Sequence, residues 1–420
     1  MLRALSHPAY LRLYLAQVAS LAGTGLLTVA LGLLAYDLAG GSAGRLLGTI
    51  FAVKMVAYVL VAPFASALTQ GLPRKVVMVT ADVVRIAAVM ALPLITEVWQ
   101  IYVLVFVLQS ASATFTPTFQ SVIPQVLTDR DDYTAGLSLS RLAYDLEAVL
   151  SPVLAGVLLL VMPNDALFLW TAVGFAGSAL LVLSVAVPKL PGSTGSTGSA
   201  GSGEGEAPFL VRVRRGATLF VRIPALRPVL ALNLVVASAG AFVLVQTVVI
   251  VKANFGLGDD MVALYLAFNG AGSMAAAFLL PWILRRASHR RVMLAGAVLL
   301  TVATAFIPLA LTSPGLGGLV GVAALWVLIG WGWASVETPV GGIIRDQVAA
   351  PDHPAAFAAQ FSLSHACWLI TYPLAGWLGA SALPAAAAVL AGIAAAATIG
   401  AFLLWPRIGS VAGPDAQLAR

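Results

Sequence analysis

Apolar runs close to 20 residues recur along almost the whole chain, and no other feature narrows its folding options so far. Twelve can be marked, at roughly 13–36, 44–68, 76–95, 100–122, 137–162, 166–187, 228–251, 260–283, 292–312, 316–340, 357–380 and 384–405. A helix of that length crosses the hydrocarbon core of a bilayer and satisfies its backbone polar groups internally. The runs are continuous and do not alternate, which argues against a β-barrel. With 60% hydrophobic and only 10% charged residues, the chain lacks the charge to cover a water-facing surface. Its 39 glycines suit close helix packing in lipid. The first run is long enough to span, and no cleavage site with a soluble remainder follows, so it is expected to stay as an anchor. The fold class expected is all-α integral membrane.

The net charge of +6 is a matter of placement. Lysine and arginine gather in alternate loops, at Arg74-Lys75, Arg130, Arg212 to Arg227, Arg285-Arg286, Arg290-Arg291, Arg345 and Arg407. The intervening loops hold little beyond Arg45 and Lys252. The positive-inside bias therefore predicts both termini in the cytoplasm of a bacterial-type inner membrane, and no nucleic-acid partner.

The chain also repeats itself weakly. Thr116-Pro117 with Gln125-Val126 returns as Thr338-Pro339 with Gln347-Val348, 222 positions on. Ser138 to Arg141 is echoed by Ser362 to His365, and Leu11-Arg12 with Gly25 by Leu226-Arg227 with Gly240. A slowly drifting offset fits a duplicated bundle, and two like halves in a membrane can form a path at their interface. Between them lies a glycine/serine stretch, 192–207. The expected organisation is a six-helix bundle over 1–187, a cytoplasmic linker plus basic interfacial helix over 188–227, a second bundle over 228–405 and a tail over 406–420. Six helices on either side of a long loop make two pseudo-symmetric bundles.

Ionisable residues inside spans are costly and mark function or a partner. Lys54 lies in the second run, where Asp37 is one candidate partner. Arg141, Asp145 and Glu147 lie in the fifth. Arg141 and Asp145 are four apart and share a helix face, as a structural pair or as part of a proton site. Glu147 sits about 200° around the helix from Asp145, so the two carboxylates do not serve one site. Glu337 precedes Thr338-Pro339, and Pro339 removes a backbone donor and is expected to bend its helix. His365 replaces Arg141 in the second copy. Glu147, Glu337 and Asp145 are the proton-carrying candidates. Lys54, Arg141, Gln109, Gln120, Asn233, Gln246, Asn269 and His365 are candidates for lining the path, with helix-to-helix bonding the competing role of the amides. One cysteine, Cys367, excludes an internal disulfide and reads as a packing residue. No residues show the spacing of a structural zinc site, and no phosphate-binding loop suggests ATP. No cofactor and no enzymatic activity are expected.

The order of six helices, long loop and six helices resembles the major facilitator superfamily over almost the whole chain. The opening LRLYLAQVASLAGTGLLTVALGLLAYDLAG and the Ala81 to Arg85 segment are similar to its drug/proton antiporter branch, which contains macrolide exporters. Within it, Gln109 to Pro117 (QSASATFTP) and Ser138 to Glu147 (SLSRLAYDLE) look most similar to nickel-resistance-type permeases. The resemblance implies a cytoplasmic gate containing Arg74, Lys75, Asp82 and Arg85. It also implies proton-driven efflux of a small cation or amphipathic compound by alternating access. Partners are then lipid, protons and a small-molecule or metal-ion substrate. Two departures stand out. Ser66 replaces the usual glycine and Gln70 the usual aspartate in the loop after the second helix, and residues 406–420 hold no histidine, against a dedicated nickel site. Uptake or lipid movement through the same fold, or a scaffold or sensor that transports nothing, are the alternatives.

Overall fold

The computed structural model describes residues 2–61, 72–127, 129–185, 218–313, 315–349 and 352–405. Among them there is no strand. The long helices are α1 Pro8–Ala39, α2 Ala43–Val56, α3 Arg74–Ala91, α4 Val98–Val126, α5 Arg130–Leu159 and α6 Ala166–Ser184. The second set is α7 Arg227–Val249, α8 Asp259–Ile283, α9 His289–Thr312, α10 Leu316–Glu337, α11 His353–Ser381 and α12 Leu383–Leu404. They fall where the apolar runs predict. Nine described segments are long and apolar enough to cross a membrane, one of them, Pro8–Val61, holding both α1 and α2. α5 reaches that apolarity only over the shorter Leu150–Leu159. Its other end carries Arg141, Asp145 and Glu147.

Local chemistry sets the helix ends. Proline occupies the first turn of α1, α7, α11 and α12, where its missing N–H costs nothing. Glu97 and Gln100 form a reciprocal capping box on α4. Gly40 closes α1 with φ of +51°, and Gly256 turns the chain after α7 with φ of +67°. Only glycine adopts such backbone freely, and the two lie at matching places in the two copies. α2 and α7 each run on into a five-residue π-helical turn, Ala57–Val61 and Ile250–Asn254. α10 breaks at Thr338-Pro339 and resumes as a short helix, Val340–Gln347, as the proline predicts. Thr116-Pro117, its counterpart, sits inside an unbroken α4.

The packing is two-fold. α1 packs on α5 and α6, and α3 on α4 and α6. In the second set α7 packs on α11 and α12, and α9 on α10 and α12. The two most extensive joints between the halves, among the described residues, are α2 with α11 and α5 with α8, which exchange under the same symmetry. Large apolar side chains such as Leu94, Val161, Phe278 and Leu403 point outward, as lipid-facing positions do. α7, by contrast, is enclosed, with 89% of its apolar window buried. Of the basic segment before it, residues 218–222 are described and helical, with Phe220 fully buried. The Ser66 and Gln70 loop, the connector at 192–207 and the tail at 406–420 lie outside the described residues.

Candidate functional site

α1 starts and α12 finishes at one end of the bundle, called here the terminal end. At the opposite end the halves are drawn tightly together. Gln246 of α7 donates to the Ala375 carbonyl of α11 at 2.6 Å, and its amide fills the space a side chain on Gly44 of α2 would need. A Cβ on Gly48 would stand 2.6 Å from the Tyr372 carbonyl oxygen and 2.9 Å from the Gly376 Cα. The α2 and α11 backbones thus touch with no side chain between them, and Trp377 donates to the Thr49 hydroxyl at 3.2 Å beside that contact. Nearby, Gly156 of α5 meets Ala263 of α8. Lys252 contacts Asp259 of its own half, reaches Asp37 of the other at 3.8 Å, and lies 4.8 Å from the centre of the Tyr36 ring.

Midway along the seam the rare charges come into view. Glu147 of α5 lies against α1 at Gly25, where a Cβ would meet Glu147 Oε1 at 2.8 Å and crowd Ser151 as well. Lys54 of α2 is the basic group whose charge Glu147 feels. Both are half-buried. Neither makes a hydrogen bond or direct ion pair among the described residues. Asp37, the partner the sequence offered Lys54, instead accepts from Asn164 at 2.7 Å and faces Lys252 at the far end. From the second half, α11 brings His365 and Phe361, whose rings stack at 3.9 Å. Tyr58 of α2 faces both, with ring centres at 5.8 Å from His365 and 6.3 Å from Phe361. The His365 Nδ1 bonds the Phe361 carbonyl at 2.7 Å on its own helix. Tyr144 of α5 reaches toward Thr116 and Gln17 and feels both Glu147 and Arg85.

The remaining candidates divide by role. Asp82 and Arg85 of α3 are 0% and 2% exposed and pair directly with each other. Arg85 also donates to Ser20 of α1 at 2.9 Å. Its guanidinium lies 4.4 Å from the Phe115 ring centre and 4.5 Å from that of Phe175, so this ion pair is enclosed by four helices. Lys75 donates to the carbonyls of Leu183 and Val185, capping α6. Arg74 lies half-buried beside it in the first turn of α3. Asn233 and Gln360 bond each other reciprocally at 3.2 and 2.9 Å and clamp α7 to α11. Asn269 donates to the Trp326 carbonyl at 3.2 Å, joining α8 to α10. Gln109 is buried and Gln120 exposed. Glu337 is half-buried near Cys367 of α11. Arg141 and Asp145 sit on α5 with their side chains outside the described part. No group of three or more His, Cys, Asp or Glu is placed to hold a metal ion among the described residues.

An all-helical membrane chain with two six-helix halves, and charges held at their seam, has a counterpart among known proteins. The Major Facilitator Superfamily profile matches residues 13–320. This chain belongs to that superfamily. It is a membrane transporter of that type, not an enzyme. An uncharacterized MFS-type transporter of Bacillus subtilis, YfiS, is 23% identical over 331 residues, covering 77% of this chain and 76% of its own length. The solved nucleoside transporter NupG superposes with a TM-score of 0.69 at 12% identity, over 95% of this chain and all of its own. A bacterial homologue of the iron transporter ferroportin, in an inward-facing state, gives 0.71 at 13%, over 95% and 99%. These similarities are of fold.

The sequence did not single out Tyr58, Phe361 or the Gly44, Gly48 and Gly376 seam, and it marked Gly25 only as a repeat position. One signal was present: Gly44 and Gly48 are four apart, the spacing that lets two membrane helices approach closely.

Proposed function

We propose that this chain is a proton-coupled exporter of the drug/proton antiporter branch, moving a small cation or amphipathic compound outward across a bacterial inner membrane. The observation that carries this reading is the Glu147 carboxylate, half-buried midway along the seam without a direct ion-pair partner among the described residues. A carboxylate so placed is costly to ionise unless something neutralises it. A proton and a cationic group are alternatives for that task, and competition between them makes an antiporter. The positive-inside bias sets the terminal end in the cytoplasm, so the far-end contacts close the path toward the outside. Cargo enters from the cytoplasm and meets Glu147. The halves rock apart at the far end, a proton replaces the cargo, and the neutral site returns. Glu337 and Asp145 are the further proton-carrying candidates. In this scheme residues 1–187 and 228–405 are the two rocking bodies, and 188–227 the cytoplasmic tie.

Proteoliposomes with an imposed pH gradient test this, with nickel, cobalt, a macrolide and the zwitterion phenylalanine as trial cargoes. Uphill flux is expected for at least one cargo, and its loss in Glu147→Gln. Uphill flux unchanged in both Glu147→Gln and Glu337→Gln removes the assigned role.

A further inference from the structure

We infer that the cargo is a zwitterion with an apolar or ring-bearing body, its cationic group meeting Glu147 and its acidic group meeting Lys54. The inference rests on the reading of the seam as the cargo path and adds the chemical class. The same half of the molecule shows how this fold treats a structural charge pair. Asp82 and Arg85 touch, and two aromatic rings seal Arg85 from both sides. Lys54 of α2 and Glu147 of α5 feel each other's charge yet make no direct contact among the described residues, and both remain partly accessible. An ammonium has three donors and a carboxylate several acceptor sites, and leaving these unpaired in a membrane interior is costly. On the α1 side the Glu147 carboxylate packs directly against Gly25, leaving no space there; the half-exposure that Glu147 and Lys54 keep is where a third party would reach them. On the α11 side the rings of Tyr58, Phe361 and His365 offer an apolar wall.

Charge arithmetic then selects among ligands. A purely cationic molecule at Glu147 faces the like charge of Lys54. A purely anionic one at Lys54 faces Glu147. A neutral one leaves both unpaired. A molecule with one charge of each sign satisfies both groups at once.

Equilibrium binding to the purified full chain in nanodiscs, without any gradient, tests this. Three probes share one ring and differ in charge: phenylalanine carries both, phenethylamine only the cation and 3-phenylpropionate only the anion. Phenylalanine is expected to bind roughly tenfold or more tightly than either, the scale of one hydrogen bond to a charged group. Lys54→Gln brings phenylalanine to the level of phenethylamine, and Glu147→Gln brings it to that of 3-phenylpropionate. Lys54→Arg keeps the preference, which separates lost charge from lost fold. Equal binding of the three probes, a preference for a singly charged one, no binding, or an unchanged preference in Lys54→Gln overturns the inference. Proton coupling is read separately. A protein that shows the phenylalanine preference but pumps uphill without Glu147 keeps this site and loses the antiport scheme, and the reverse result does the opposite.

Discussion

Gly48→Ala is the sharpest probe of the far-end seam. The added methyl would lie 2.6 Å from the Tyr372 carbonyl oxygen, 2.9 Å from the Gly376 Cα and 3.2 Å from the Gly376 nitrogen. Non-bonded heavy atoms settle at about 3.5–4.0 Å, so α2 and α11 must separate by roughly 0.5–1 Å. All three obstacles are backbone atoms, and no rotamer change relieves them. Overpacking of this kind costs about 1–3 kcal/mol. The strain exists only while the far end is shut. It therefore acts as a bias between conformations, and about 1–3 kcal/mol corresponds to about a 5- to 150-fold change in their ratio. The assay is a distance measurement between spin labels on Ser42→Cys and Ser381→Cys, exposed positions at the far ends of the two helices, in a Cys367→Ser background. The alanine variant is expected to populate longer distances. Gly32→Ala serves as control, since its methyl meets only Leu47 Cδ2, at 4.0 Å. A Gly48→Ala distance distribution identical to that of the parent refutes the reasoning.

Two further outcomes follow from the first half. Arg85→Leu leaves Asp82 buried without its partner, and about 3–5 kcal/mol of stability is expected to be lost. Thermal unfolding in detergent measures this; adding Asp82→Asn is expected to restore a large part, and a double variant no more stable than Arg85→Leu alone defeats the explanation. Gly25→Ala pushes a methyl into Ser151 and the Glu147 carboxylate. At about 1.4 kcal/mol of overpacking, cargo affinity is expected to fall about tenfold while the protein stays folded, as binding and size-exclusion measurements report; unaltered binding removes Gly25 from the site.

Much of the fold was legible because one force writes it plainly. A spanning helix needs an apolar run of fixed length, so the positions of all twelve long helices could be read from hydropathy. The weak spot was α5, where charge interrupts the apolar signal and only Leu150–Leu159 reads as a membrane helix. Lys54 and Glu147 each declared themselves by rarity. Their relation did not, because it depends on how α2, α1 and α5 lie against one another. Asp37, one turn from the end of the neighbouring helix, was the natural partner for Lys54 in one dimension; in three it belongs with Asn164 and Lys252. Asp82 and Arg85 read as a gate by resemblance, and only the rings of Phe115 and Phe175, from distant stretches of chain, reveal how deeply they are enclosed.

At Gly44, Gly48 and Gly376, the meeting of α2 and α11 as bare main chain has a mechanical consequence. Interlocked side chains would have to climb out of one another's grooves before two bodies could part, and each would add friction and a preferred register. Smooth surfaces can slide or peel with little resistance and re-seat with little searching. The polar ties around them, Lys252 to Asp37 and Trp377 to Thr49, then act as the fasteners that set how firmly the door stays shut.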